Sequence, residues 1–210
     1  LNIEAIALPG TYSLYHKRMD EWVSYRVVIG DDESFRPDLV VAVVDASNLK
    51  RNLLLCTQLI DLNVPVVVAL TMMDQARKKG IQIDIPALER ELGVPVVAVN
   101  PRKNKGIGEL KKTIQSWQKQ TIKTTSRSFI DIEKLAPYAV QETQALFPEI
   151  GEYKAVHYLI NHESLSIPHQ DSIESIEIKS GFNPTKTQAQ EILDRYAHIR
   201  VIMQASVSEP

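Results

Sequence analysis

Four short aliphatic runs, set between longer stretches of helical spacing, restrict the fold of this chain more than any other feature. Leu39-Val40-Val41-Ala42-Val43-Val44 is apolar throughout and stops at Asp45. Val64 to Leu70 and Val94 to Val99 have the same character, and a shorter run, Ile3 to Ala7, ends at Leu8-Pro9-Gly10. A strand with one wet face alternates apolar and polar residues. A strand apolar at every position is covered on both faces, the situation in a parallel sheet between helices. Between the runs, Leu49, Leu53, Cys56 and Ile60 fall at helical spacing, as do Ile107, Leu110, Ile114 and Trp117. Asp84 and Pro86 start a helix that reaches Leu92 and stops at Gly93. Strand and helix in this rhythm predict an α/β sheet, mostly parallel, with right-handed crossovers.

The pattern changes near Lys119. Lys123 to Arg127 is polar, and beyond it the expected elements are helices over Asp131–Leu146, Glu152–Asn161 and Pro184–Ala205. The last has Asn183 as its N-cap and Pro184 in its first turn. Its apolar stripe of Ala189, Ile192, Tyr196, Ile199 and Met203 calls for a partner surface. Ile173 to Ile178 alternates and is read as a possible strand. These shifts divide the chain into an α/β part over 1–122 and a small helical domain over 128–210.

Net charge is -2 and the pI about 6.2, which argues against a nucleic-acid partner or a basic membrane patch. The single cysteine excludes a disulfide framework and fits a reducing compartment. No apolar run approaches the roughly 18 residues of a membrane span. The chain opens at Leu1, without a methionine, directly in a strand-like run.

In an open parallel sheet, ligands bind at the carboxyl ends of the strands, and three signatures lie there. The first is Ala7-Leu8-Pro9-Gly10-Thr11-Tyr12-Ser13-Leu14. GTP-binding domains carry Asp-x-x-Gly at such a place, the Asp holding magnesium through water and the Gly amide meeting the γ-phosphate. Here Leu8, Pro9 and Gly10 keep the switch-like form, but Ala7 supplies no oxygen for a hard cation. The second is Thr71-Met72-Met73-Asp74, where Asn-x-x-Asp is the expected form and the Asp carboxylate accepts from two guanine nitrogens. Asp74 is in place and Thr71 stands for the Asn. The third is Asn100-Pro101-Arg102, where Ser-Ala-x is usual and the Ala amide donates to guanine O6. Pro101 has no amide hydrogen to give.

The run Leu8 to Leu14, the run Val43-Val44-Asp45-Ala46-Ser47-Asn48-Leu49 through Arg51-Asn52-Leu53, Met72-Met73-Asp74, and Arg102 to Gly106 together resemble the bacterial ferrous iron transport protein B family. The resemblance covers most of residues 1 to 118 and weakens beyond 125. It implies a P-loop-GTPase-like domain followed by a helical regulatory domain that modulates nucleotide release and leads into a membrane part. GTP or GDP would be the ligand, and the membrane-embedded transporter portion of the same polypeptide or complex the partner. The place would be cytoplasmic, at the inner face of the bacterial membrane, with oligomers possible. The family's Walker A loop and first switch are absent: no Gly-Lys-Ser/Thr occurs in the sequence. Turnover of GTP therefore has no support in these residues, and no catalytic or metal-ligating residue is assigned. In this fold the absent first strand would lie between Ile3–Ala7 and Leu39–Val44 and its loss would leave a central gap, so a longer natural chain, a filling segment or rearranged pairing is expected.

Other residues take plainer readings. Asp45 and Asn48 are read as helix caps, Cys56 as core, His16 as solvated, and the basic residues from 102 to 112 as a solvated helix start. His157 and His162 share no helix face and so make no metal pair. Two alternatives stay open: a degenerate, non-catalytic interaction module on the same fold, and, more remotely, a ribosome-assembly GTPase, which the lack of a basic extension disfavours.

Overall fold

The computed structural model describes residues 3–16, 18–31, 35–119 and 127–209. Its centre is a parallel sheet in which β1 (Val40–Asp45) pairs with β2 (Val66–Thr71), and β2 with β4 (Val96–Ala98). The register sets Val40 beside Val66 and Val68 beside Val96. Every residue of β2 from Val66 to Leu70 is buried, as an apolar central strand requires. Val66, Val68 and Leu70 face the main core. Val67 and Ala69 meet Val97 and Val99 in a smaller cluster on the other face.

Helix α2 (Leu49–Asp61) buries the expected Leu49, Leu53, Cys56 and Ile60. Helix α4 (Ile85–Leu92) starts where Asp84 accepts from the Ala87 amide at 3.0 Å and ends at Gly93 in the left-handed region. Three elements lie outside the sequence reading: α1 (Met19–Ile29), the short α3 (Met73–Lys78), and an antiparallel pair of β3 (Gln82–Ile83) with β5 (Val207–Ser208).

The carboxyl-terminal part is helical: α6 (Ile132–Leu135), α7 (Pro137–Leu146), α8 (Glu152–Asn161), α9 (Gln170–Ser180) and α10 (Pro184–Ser206), following α5 (Ile107–Gln118). Helix α10 lies against α2 and α4. One buried cluster runs from Leu53, Val68 and Leu70 to Val156, Leu159 and Ile199. The expected boundary between 122 and 128 falls almost wholly outside the described residues.

Four sequence expectations are corrected. Ile3–Ala7 is not a strand; it pairs with no described residue, and Ile3 and Ile6 are exposed. A ladder needs a neighbour, and between this segment and β1 lies a trough of about 1320 Å³ lined by Ile6, Leu8, Val41, Val43, Ile114 and Trp117. Ile173–Ile178 is helical: Ile173 and Ile176, three apart, are buried, while Ile178 is exposed. The helix expected over Asp131–Leu146 breaks at Ala136, which precedes Pro137 and is driven out of the helical region to φ -161, ψ 62. Finally, the buried face of α10 only partly coincides with the apolar stripe: Ile199 is buried and Tyr196 and Met203 pack against the core, while Ala189 is exposed. The buried face runs through Thr187, Glu191, Arg195, Ile199, Ile202 and Ser206, about one residue round from Ile192 and Tyr196. Two charged residues, Glu191 and Arg195, occupy its middle, so hydrophobic spacing alone finds only part of the buried face.

Candidate functional site

Because β1, β2 and β4 are parallel, their carboxyl ends share one edge, and all three loops leaving that edge carry motif residues. After β1, Asp45 accepts from the Ser47 amide at 2.8 Å, the capping role expected of it. Asn48 precedes α2 without a side-chain capping bond, so the cap expected of it is not made. Asn52 ties back to the Asn48 carbonyl at 2.9 Å.

The loop after β2 is set by its neighbours. The Thr71 hydroxyl donates to the Val44 carbonyl at 3.0 Å, pinning this loop to the end of β1. Met72 then takes a left-handed conformation at φ 58. That conformation costs an L-residue about 1–2 kcal/mol, and such strain gathers at functional sites. It turns the chain into α3, whose first turn presents the exposed Asp74 carboxylate. The Lys79 ammonium reaches the Ser47 carbonyl at 3.2 Å and ties α3 to the turn after β1.

The loop after β4 closes on itself. Asn100 and Lys105 exchange backbone bonds at 2.8 and 3.1 Å, the Asn100 side chain accepts from the Lys103 amide at 3.1 Å, and the Asn104 amide donates to Pro101. Gly106, at φ 78, ends the loop so close to β4 that a Cβ there would sit 2.0 Å from the Ala98 oxygen. The Val99 amide donates to Leu70 at 2.8 Å and sets this loop beside the one carrying Asp74. Asn100, Pro101 and Arg102 are thus preformed in place, and the side chains of Pro101 and Arg102 face outward. The basic residues that follow are exposed, as a solvated start to α5.

The switch-like segment is placed differently. Leu8 is half-buried and Pro9 and Gly10 are exposed. The Pro9 carbonyl accepts from the Ser24 hydroxyl at 2.7 Å, and the Tyr12 ring lies under the Arg51 guanidinium at 3.7 Å. Arg51 belongs to the first turn of α2, which brings this loop to the same edge of the sheet. No hydrogen bond among the described residues joins Leu8, Pro9 or Gly10 to either of the other two loops.

These residues fit a nucleotide only in part. An exposed carboxylate beside a rigid loop suits a purine edge with two N–H donors. The Thr71 hydroxyl is engaged with Val44, and Pro101 brings no amide hydrogen. At the position where the GTP-binding pattern has a magnesium-holding Asp, Ala7 offers no side-chain oxygen.

The sequence reading missed the polar centre where the helices meet the sheet. Arg195 is fully buried, with Nη1 2.8 Å from Asp61 at the end of α2 and Nη2 2.6 Å from Glu191. The Tyr153 hydroxyl donates to the same Glu191 oxygen at 2.7 Å, and the Phe129 amide donates to Asp61 at 2.9 Å. Burial pushes the Asp61 carboxyl up against the opposing pull of Arg195. Burial works against the Arg195 charge, but Tyr153, Glu191 and Asp61 outweigh it and the guanidinium stays charged. The visible signal was the Glu191–Arg195 pair, spaced i,i+4 on a helix. His16 is not solvated either: its ring meets Trp22 at 4.4 Å and Tyr25 at 5.3 Å. Cys56 is core, its thiol pushed up to about 12 by burial.

A family model described as "Ferrous iron transport protein B" matches residues 1–114. This chain belongs to that family. The Fe(2+) transport protein A/Fe(2+) transporter FeoB fusion protein of Porphyromonas gingivalis is 46% identical over 114 residues, covering 54% of this chain and 13% of that protein. The Fe(2+) transporter FeoB of Escherichia coli K12 is 40% identical over 120 residues, covering 55% of this chain and 15% of that protein. The chain therefore spans about a seventh of the length of these relatives. Among solved structures, the cytosolic domain of L. pneumophila FeoB is 28% identical at TM-score 0.74, covering 96% of this chain and 79% of that one. The mGMPPNP-bound NFeoB of S. thermophilus is 28% identical at TM-score 0.70, covering 97% and 79%. The GMPPNP form of the T. maritima cytosolic domain, 22% identical at TM-score 0.73, supports the fold. The expected P-loop-GTPase-like α/β fold is the fold of this family member.

Proposed function

We propose that this chain is the guanine-recognising and regulatory part of the cytosolic module of a ferrous iron transporter, and that these residues by themselves hold nucleotide weakly and do not hydrolyse GTP. In this reading residues 1–122 form the partial GTP-binding domain and 128–210 the helical regulatory domain. The module works at the cytoplasmic face of the membrane, beside the membrane-embedded transporter portion. The carrying observation is the exposed Asp74 carboxylate, set at the start of α3 by the left-handed Met72, next to the closed loop at Asn100-Pro101-Arg102.

Asp74 would accept from the guanine edge, and Met72, Asn100, Pro101 and Arg102 would frame the ring. A hydrogen bond to a charged acceptor is worth about 1.5–3 kcal/mol, a guanine-over-adenine preference of roughly ten- to a hundredfold. Positioning and charge neutralisation dominate phosphoryl transfer. Among residues 1–210 there is no Walker A lysine and no side-chain oxygen at Ala7, so these residues alone supply neither, and alone they should bind nucleotide weakly and turn it over at background.

Competition between GDP and ADP, followed by calorimetry, tests this. Wild type should prefer GDP, Asp74→Ala should lose the preference, and Thr71→Asn with Pro101→Ala should tighten GDP. If Asp74→Ala changes nothing and the double variant gains nothing, the site is a relic and the non-catalytic interaction-module reading replaces this one. GTP turnover that survives purification and disappears with Asp74→Ala would overturn the non-hydrolysing part.

A further inference from the structure

The switch-like loop does not end at the sheet. After Thr11 bonds the Ser13 carbonyl at 2.8 Å, Ser13 and Leu14 turn inward to Gln58 of α2, whose side-chain oxygen accepts from the Leu14 amide at 2.9 Å and the Ser13 hydroxyl at 3.2 Å. Leu14 is buried. The next residue, Tyr15, leaves the sheet altogether. Its ring stacks on His157 of α8 at 5.5 Å with an interplanar angle of 24°. Its hydroxyl is sealed from solvent and feels the charges of Glu191 and Arg195 and the Tyr153 hydroxyl. Tyr153 in turn meets His157 edge-on at 4.8 Å and lies under the Arg195 guanidinium at 5.0 Å.

Tyr15 is thus a peg of the loop set on α8, close enough to the buried centre that ties α10 to Asp61 to feel its charges. Withdrawing it would leave a hole beside an ion pair that has no access to water, and buried charges tolerate the loss of a neighbour poorly. On the opposite side the loop is held only at its surface, by Ser24 at the Pro9 carbonyl and Arg51 at the Tyr12 ring: Gly10 and Tyr12 are exposed, and a Cβ on Gly10 would meet nothing within 4 Å. One end of a short loop therefore lies at the surface on the carboxyl edge of the sheet, and the other is buried against the helices.

We propose that Tyr15 is a positioning residue that makes the conformation of residues 8–14 and the packing of α8 against α10 a single equilibrium, so that a change at either is felt at the other. The inference stands on packing and does not depend on nucleotide binding.

Hydrogen–deuterium exchange of the full chain tests it in both directions. Tyr15→Ala should speed exchange in 8–14 and also in 152–161 and 190–200, on the order of tenfold, while β2 keeps its protection. Tyr15→Phe, which keeps the ring on His157, should give a smaller change of the same pattern. From the far side, Glu191→Gln should speed exchange in 8–14, a response that a merely local role would not produce. The equally buried Ile173→Val in α9 should leave 8–14 unchanged. Faster exchange confined to residues 8–16 in Tyr15→Ala, or unaltered 8–14 in Glu191→Gln, would overturn the proposal. Should Tyr15→Ala strip β2 of protection, Tyr15→Phe and Glu191→Gln decide between the two outcomes.

Discussion

Two segments of this chain were expected at the ligand-binding edge of one sheet, and they are built in opposite ways. The loop over residues 100–106 is closed by bonds between residues no more than five apart and ends on a glycine pressed against β4. Residues 3–10 form no regular element, are largely exposed, and line the trough together with β1. Both sequences carry family motifs. What differs is where their backbone partners come from. A turn that satisfies its own N–H and C=O groups needs few residues to exist, whereas a strand exists only as one side of a ladder.

The most severe test of that contrast substitutes a glycine on each side. Gly106→Ala must relieve a 2.0 Å approach to the Ala98 oxygen at φ 78, both of which oppose a Cβ. The expected loss is about 3 kcal/mol or more, since strain and backbone displacement add. Gly10→Ala faces open space with no left-handed φ, and should change stability by less than about 0.5 kcal/mol. Urea midpoints of the two variants give the answer. Equal losses would mean that residues 3–10 are as tightly built as 100–106.

The same division explains what could be read in advance. β1, β2 and β4 and the buried side of α2 follow from runs such as Val66 to Leu70 and from the spacing of Leu49, Leu53, Cys56 and Ile60. Asp84, Asn183 and Gly93 mark their helix ends because capping is a local bond. The loops holding Asp74 and Asn100 were placed for the same reason, each following a strand that the hydrophobic run defines. Arg195, Glu191 and Asp61 were not found, because their pairing joins α10 to a residue far away in sequence and puts charges where the pattern demands apolar residues. Tyr15 and His157 escaped too: nothing in either neighbourhood says that one ring will rest on the other.

Acid should separate the two regions next. His157 is fully buried, and its pKa is lowered to about 3, first by burial and then by the charges of Arg195 and His16. An unfolded chain takes up that proton near 6.5, the folded one only near 3. Between these values the unfolded state holds more protons, so the contribution is complete above pH 6.5 and is lost as pH falls. From about pH 7.5 to about pH 5 the loss from this group should be about 2 kcal/mol. His157→Phe should remove that part of the slope, leaving other groups' contributions. Residues 100–106 have no such dependence on His157, so protection factors, corrected for the intrinsic exchange rate at each pH, should fall first in 8–16 and 152–161 as the pH is lowered. A slope indifferent to His157→Phe would show that acid acts elsewhere.

The smallest expected effect lies along the trough, and it asks whether β1 is a true edge. Val43 sits in the middle of an all-apolar strand yet is 68% exposed, whereas Val68, in the neighbouring strand, is fully buried. Threonine has nearly the shape of valine and the same preference for strands, so Val→Thr changes little except the burial of a hydroxyl. At Val68 that hydroxyl meets a closed core, and the expected cost is about 1–3 kcal/mol. At Val43 it meets open space, and stability should move by less than about 0.5 kcal/mol. A cost at Val43 approaching that at Val68 would mean that something covers β1 in solution. The trough would then be closed, and the contrast between the two segments would be one of partner supply alone.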